Sequence, residues 1–287
     1  MTHQTEIKGF YENSFRELYY VWGAKRHLGF HYGFYDSAHK SHDEAILNMN
    51  RILAERAKIR ASTRVLDAGC GIGGSAIWLA KNLGAHVTGI TISEKQCSIA
   101  KNLARKFDVE ELTDFFVQDY AHTNLSDNSF DVVWAIESMS YATNKLDFIT
   151  ESKRVLKSGG ILIIADAFLI KNYYSPQEKL AIEKTFLGWA VPSLAQLTEF
   201  TSQLKSTGYR SNRHEDISKN VAPSSKNFYK LGLLALPLAK LFYWLGIVSP
   251  KTLSKIQSGI SQWQLLQRGL WSYLILISEK LPQGSLT

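Results

Sequence analysis

From Arg64 onward, short apolar runs alternate with amphipathic ones. Residues 64–66, 85–90, 115–117, 130–136 and 161–165 are apolar stretches of strand length, bounded by turn-forming residues. Between them Ala76, Ile77, Leu79, Ala80 and Leu83 recur as one stripe. Cys97, Ile99, Ala100 and Leu103 do the same, as do Leu146, Phe148, Ile149 and Val155. That spacing is the helical period of segments that cover a sheet. Ser93 and Gln96 have capping-box spacing at the start of the second helix, and Gly159-Gly160 stops the third near Lys157. Strands separated by helices in this rhythm predict an open, mostly parallel α/β sheet.

The flanks follow other patterns. Residues 1–60 form a helical and aromatic region, in which Tyr11, Phe15, Tyr19 and Trp22 share one helical face. Residues 61–170 hold the alternating core. Residues 171–265 interrupt the sheet as a helical lid, with Phe186, Trp189 and Val191 supplying bulk for an apolar acceptor. Leu194, Leu197 and Phe200 lie on a helix ending near Gly208, and residues 266–287 are a final strand and tail. The segment 228–248 is the most apolar, broken by Lys230, Pro237 and Lys240. Its length meets the roughly 17–25 residues of a membrane span, but a helix pair packed under the lid explains it more simply. Reversible membrane contact is the alternative.

The junction after the first strand carries candidate chemistry. Asp67 is followed by glycines at 69, 71, 73 and 74 and then by a helical stripe. Glycines let a backbone turn tightly and approach a ligand, and the carboxyl end of a first strand is where such folds bind nucleotides. Gly69-x-Gly71-x-x-Gly74 matches a dinucleotide fingerprint, so an NAD-linked oxidoreductase stays open. However, Asp67, read as part of the turn, would repel a pyrophosphate and attract an ammonium group. Thr91 at the end of the second strand also lacks the ribose-binding carboxylate expected for NAD.

Residues 65–73 resemble the first motif of class I S-adenosylmethionine-dependent methyltransferases, and 128–134 and 155–160 resemble later motifs of the same fold. The similarity covers about residues 60–170 as an ordered set. It implies a Rossmann-like, seven-stranded sheet flanked by helices, a helical lid insertion, and an antiparallel last strand beside the sixth. It also implies S-adenosylmethionine as cofactor. On that resemblance Asp67 serves the methionine end, and Gly69, Gly71 and Gly73 admit the backbone close to the ligand. Thr91, Ser93 and Gln96 are candidates at the ribose, with Asp119 and Tyr120 at the adenine. Glu137, ending the fourth strand, is placed near the reaction centre as a catalytic candidate. His31 is a second acid-base candidate, because histidine titrates near neutrality, although a histidine in such a turn also serves structure alone.

A closer resemblance, carried by Trp22-Gly23, residues 27–35, Gly71 to Gly74, residues 89–93 and Glu137-Ser138, is to the tocopherol and sterol C-methyltransferase branch. It favours carbon methylation of an isoprenoid, prenyl-aromatic or related natural product. Tyr141 stands where that branch carries histidine. N- or O-methylation of a small natural product, C-methylation of a prenyl diphosphate, and a non-catalytic cofactor-binding scaffold are the alternatives.

Composition narrows the partners. The chain has 287 residues, 45% of them hydrophobic, a net charge of +7 and an isoelectric point near 9.2. That balance suits an anionic substrate or lipid surface, whereas no Lys/Arg run is dense enough to favour nucleic acid. Cys70 and Cys97 form neither a disulfide framework nor a metal pattern, and no metal is implied. The polar first ten residues carry no signal segment, so a cytoplasmic location is expected, with peripheral membrane contact as its variant. Nothing in the sequence sets an oligomer number.

Overall fold

A computed structural model describes residues 3–281; the expected tail at 282–287 and the first two residues lie outside the described residues. The chain opens with α1 (His3–Arg16), which runs into a π-helical turn (Glu17–Val21) and the short α2 (Ala24–His27). After a loop, α3 (His42–Arg56) starts on a capping box between Ser41 and Glu44.

The core alternates as the apolar pattern requires. It comprises β1 (Arg64–Ala68), α4 (Gly74–Leu83), β2 (His86–Thr91), α5 (Glu94–Lys106), β3 (Thr113–Val117), β4 (Phe130–Ile136), α6 (Lys145–Val155) and β5 (Leu156–Leu169). The remainder is α7 (Pro176–Leu187), the two-residue β6 (Ala195–Gln196), α8 (Leu197–Thr207), β7 (Tyr209–Asp216), α9 (Ser218–Trp244), α10 (Pro250–Gln267) and β8 (Ser272–Lys280).

The principal sheet order is β3-β2-β1-β4-β5-β8-β7, with β6 pairing to β5 off that path. This is the seven-stranded, Rossmann-like sheet expected, with β8 antiparallel to both β5 and β7. Chain order reverses between β1 and β4, which leaves a crevice at the carboxyl ends of those strands. Two apolar clusters sandwich the sheet. One contains Ile46, Leu79 and Ala100 from α3, α4 and α5; the other contains Phe148, Phe200 and Leu204 from α6 and α8.

Three details differ from the sequence expectation. Asp67 is a strand residue paired with Gly89 and Trp134, not part of the turn. The third crossover helix ends at Val155, and Gly159 and Gly160 lie inside β5, where its register against β4 shifts between Phe130 and Val132. The stretch expected to be a helical lid also contributes to the core. Within it β7 forms a sheet edge and α8 packs on one face, so α7, α9 and α10 are its covering helices.

Close packing under the crevice gives a direct test. A Cβ on Gly89 would come within 2.7 Å of Phe115 and 3.0 Å of Cys70, and all three are held by the sheet or its first turn. Gly89→Ala is therefore expected to lower unfolding free energy by about 1–3 kcal/mol through overpacking, measured by urea denaturation. Unchanged stability would mean that the Phe115 ring shifts without penalty.

Candidate active site

The crevice begins with an unequal use of one carboxylate. Asp67 is only 3% exposed. It accepts the Ala76 backbone N–H in the first turn of α4, while its Oδ2 has no hydrogen-bond partner. The α4 N-cap, Gly73, has no side chain to perform that duty. Burial raises the Asp67 pKa to about 7, because removing a carboxylate from water disfavours its charged form. An ammonium group against Oδ2 would satisfy the orphan oxygen and favour ionisation.

The glycines divide by task. Gly69 has φ +93°, and a Cβ there would strike Ser138 at 2.5 Å. Gly71 has φ +54° and faces open space, with Phe30 its nearest neighbour at 3.7 Å. Both line a cavity of about 410 Å³. Gly73 does not: a Cβ there would press on Phe115 at 2.9 Å, so this glycine serves packing beneath α4.

Thr91 and Gln96 line the same cavity, and the Thr91 hydroxyl donates to Gln96 Oε1 at 2.8 Å. Ser93 is placed off the cavity wall. It caps α5 by accepting Gln96 N–H at 3.2 Å and donates its hydroxyl to Glu12 at 2.9 Å. The reciprocal half of the expected capping box is absent, because Gln96 turns toward Thr91 instead. Asp119 and Tyr120 form the far wall, with the Tyr120 hydroxyl donating to Ser138 O at 2.7 Å.

The N-terminal helix covers this wall, a contribution the sequence did not identify by residue. Gln4, Ile7 and Tyr11 line the cavity. Gln4 donates to Asp119, Lys8 pairs with Glu94, and Tyr11 donates to the Tyr141 hydroxyl at 3.0 Å. The Tyr141 hydroxyl in turn donates to Trp189 O at 3.1 Å. Burial pushes its pKa well upward, so the residue standing in place of histidine fastens α1 to the lid and does not exchange protons near neutrality.

Glu137 stands where two cavities meet. It lines both the large cavity and an adjoining one of about 90 Å³. Its backbone is left-handed, φ +47°, a strained conformation for a residue with a side chain. Its Oε1 accepts Tyr32 N–H at 2.6 Å and the Tyr273 hydroxyl at 2.8 Å. Burial outweighs those bonds and raises its pKa to about 8.

The smaller cavity is an aromatic chamber, with Tyr32, Trp189, Phe228, Trp271 and Tyr273 in its wall. Trp22 and Phe228 stack there, with ring centres 4.2 Å apart. Asp166 supplies a second buried carboxyl, raised to about 6 by burial. Its oxygens accept the Ser140 and Ala167 backbone N–H groups at 2.9 and 2.8 Å. Its place just past the apolar run 161–165 is the sequence signal that could have identified it, since strand ends carry functional side chains in such sheets.

His31 also faces both cavities, but not as a group poised near neutrality. Burial lowers its pKa to about 4. Tyr32 O lies 2.9 Å from Nδ1 and can only accept, so Nδ1 carries the proton. Nε2 keeps a lone pair and has no partner. His31 is thus a neutral hydrogen-bond acceptor.

Known proteins resemble this chain in sequence and in fold. The family model described as "Methyltransferase domain" matches residues 66–164. The 27-O-demethylrifamycin SV methyltransferase of Amycolatopsis mediterranei is 34% identical over 204 residues, covering 71% of this chain and 73% of that protein. The 2-methyl-6-phytyl-1,4-hydroquinone methyltransferase of Synechocystis is 36% identical over 197 residues, covering 67% of this chain and 60% of that protein. Among solved structures, the [4+2]-cyclase SpnF superposes with a TM-score of 0.80 at 23% identity, covering 98% of this chain and 97% of that one. The last match establishes a shared fold alone.

Asp67 makes stability depend on pH with a definite sign. Its folded pKa of about 7 exceeds its ordinary value of 3.8. The folded chain therefore keeps a proton that the unfolded chain releases, and the associated stability is lost as pH rises from about 4 to 7. Buried His27 and His31, lowered to about 4 from 6.5, work in the opposite sense up to pH 6.5, so a difference between variants is the clean readout. Asp67→Asn, which can still accept from Ala76, should gain stability over the parent on going from pH 4 to 8, by a few kcal/mol at most. Urea denaturation of the ligand-free proteins across that range gives the comparison, and parallel pH profiles would remove the assigned burial cost.

Proposed function

This chain belongs to the S-adenosylmethionine-dependent methyltransferases, and on that premise we propose that it methylates carbon in a hydrophobic isoprenoid or prenyl-aromatic acceptor. The position of Glu137 carries this reading. One buried carboxyl borders both a glycine-walled cavity with an unsatisfied anion and an aromatic chamber.

The residues of the larger cavity fit the cofactor. Asp67 Oδ2 would receive its ammonium group, while Gly69 and Gly71 leave room for its methionine end. Thr91 and Gln96 offer uncharged polar groups to the ribose hydroxyls, and Asp119 and Tyr120 would border the adenine. S-adenosylmethionine, when bound, supplies a methyl group activated on a sulfonium. The cavity of about 410 Å³ lies within the roughly 300–1,000 Å³ of small-molecule sites.

The aromatic chamber supports the acceptor assignment. Its rings exclude water, and their faces favour positive charge that develops on a carbon acceptor. A carbon that gains a methyl group in place of hydrogen must also release a proton. Glu137 Oε1 already accepts two hydrogen bonds, so Oε2 is the oxygen we assign to receive it. His31 Nε2 can orient an acceptor hydroxyl. The chamber holds only about 90 Å³, so a phytyl- or sterol-sized acceptor places its reacting end there and displaces lid side chains along its tail.

The tocopherol/sterol motif resemblance favours carbon. The name of the rifamycin methyltransferase favours oxygen as the second reading. Both readings share one domain scheme: a cofactor-closing segment at 1–60, the binding core at 61–170, an acceptor cover within 171–265 formed by α7, α9 and α10, and the final strand from 266.

Labelled S-adenosylmethionine incubated with the enzyme and fractionated hydrophobic metabolites tests this. The expected product carries the label in a carbon-bound methyl group. Label only on oxygen or nitrogen overturns the carbon assignment, and absence of transfer to prenyl-aromatic, isoprenoid and polyketide acceptors overturns the enzyme reading. With a turned-over acceptor, the rate should rise with pH and level off above about 8 as Glu137 ionises. Glu137→Gln should lose that rise and fall by about 10²- to 10⁴-fold; full turnover in that variant would dismiss the proton-transfer role.

A further inference from the structure

The distribution of charge along the chain is as uneven as that of its apolar surface. Between residues 217 and 278 there are seven Lys or Arg and no Asp, Glu or His. The chain has 33 basic and 26 acidic residues in all, so the rest is balanced and the entire excess of +7 resides in this segment. It contains α9, α10 and the start of β8.

The same segment exposes the molecule's main run of large apolar side chains. Leu231, Leu234, Leu238, Leu241 and Leu245 recur at spacings of three and four along α9, and all are exposed. At the end of the helix Trp244 is 81% exposed and Ile247 69%. The amino-terminal part of α9 is different: Phe228 enters the aromatic chamber, and Gly232 lies against Ile256 and Ile260 of α10. One helix therefore runs from the acceptor chamber out to an unpartnered apolar end. Lys240 and Lys251 stand exposed around that end.

We infer that the outer part of α9 and its turn into α10 dock on an anionic lipid bilayer. Leucines at helical spacing supply an apolar face for the headgroup boundary, lysines supply attraction to anionic lipid, and a terminal tryptophan suits the interface. Among the described residues no helix is long and apolar enough to cross a membrane, so the contact is interfacial. The absence of acidic groups over 62 positions favours lipid over a second copy of this chain, whose matching surface would carry the same charge. The inference rests on the hydrophobic-acceptor reading in one respect: docking would place the route into the chamber beside the phase where such an acceptor dissolves.

Flotation of the full-length protein with phosphatidylcholine vesicles, with and without phosphatidylglycerol, tests the docking. Binding to the anionic vesicles is expected, weakening with added salt. Lys240→Gln and Lys251→Gln should each reduce partitioning about fivefold, and Leu234→Ser with Leu241→Ser at least tenfold. Equal binding to neutral vesicles, no binding to either, or a concentration-dependent dimer abolished by the leucine changes would overturn the proposal. Vesicle binding is read without turnover, so its failure is separable from failure of methyl transfer. Conversely, transfer to a short, water-soluble acceptor should be unchanged in the leucine and lysine variants.

Discussion

The bond from the Ala76 amide to the Asp67 carboxylate is the joint on which the site depends. It ties the end of β1 to the first turn of α4 at the place where the sheet order reverses. The intervening turn can pass close to a ligand only because Gly69, Gly71 and Gly73 all take left-handed conformations, and such a turn has no side chain with which to cap the helix. The strand supplies the cap instead. Using one carboxylate oxygen for that purpose leaves the other buried and unsatisfied. The fold's own need for a capped helix thereby produces an anionic receptor at the cleft floor, held at a cost in desolvation until a cation arrives.

A second constraint meets the first through the backbone of β4. Glu137 leaves the strand in a left-handed conformation while its amide still bonds to Ala165 O at 2.9 Å. That turn moves its side chain out of the sheet and into the hydrogen bonds from Tyr32 and Tyr273. These partners come from the N-terminal loop and the last strand, so segments far apart in sequence converge on one carboxyl. Strain of this kind persists only where surrounding contacts over-determine it. Here they do so at the boundary between the two cavities.

The half of the site built from local sequence was legible, and the half built from long-range packing was less so. Asp67, Gly69, Gly71, Thr91, Gln96, Asp119 and Tyr120 follow strand ends and were found by their spacing and resemblance; all lie on the larger cavity. Gly73 and Ser93 shared the same signal yet turn away, because one packs under Phe115 and the other caps α5. Sequence position specifies a strand end but not which side of the turn a residue serves. β7 escaped notice because its sequence, YRSNRHED, has no apolar run; as an edge strand it is held by pairing with β8. Tyr273 reaches Glu137 because β8 lies beside β5, a pairing no local pattern encodes. His31 faces both cavities, but its burial, which decides its protonation, depends on packing that is equally non-local.

This division bears on how chemistry can vary within one fold. The cofactor side is defined by backbone turns and a strand carboxylate, features that the sheet itself imposes. The acceptor side is an aromatic lining assembled from α9, the end of α7 and its following loop, the N-terminal region and the start of the last strand, with Glu137 and Asp166 as its acidic groups among the described residues. Substituting Trp189 or Phe228 there changes shape and polarity at positions outside the sheet. A cyclase with nearly the same fold along its whole length illustrates that architecture alone does not choose the reaction. In this chain the groups bonded to Glu137 Oε1 come from the N-terminal loop and the last strand. Tyr141, the aromatic residue in the histidine position, joins α1 and the lid at one hydroxyl, which accepts from Tyr11 and donates to the Trp189 carbonyl.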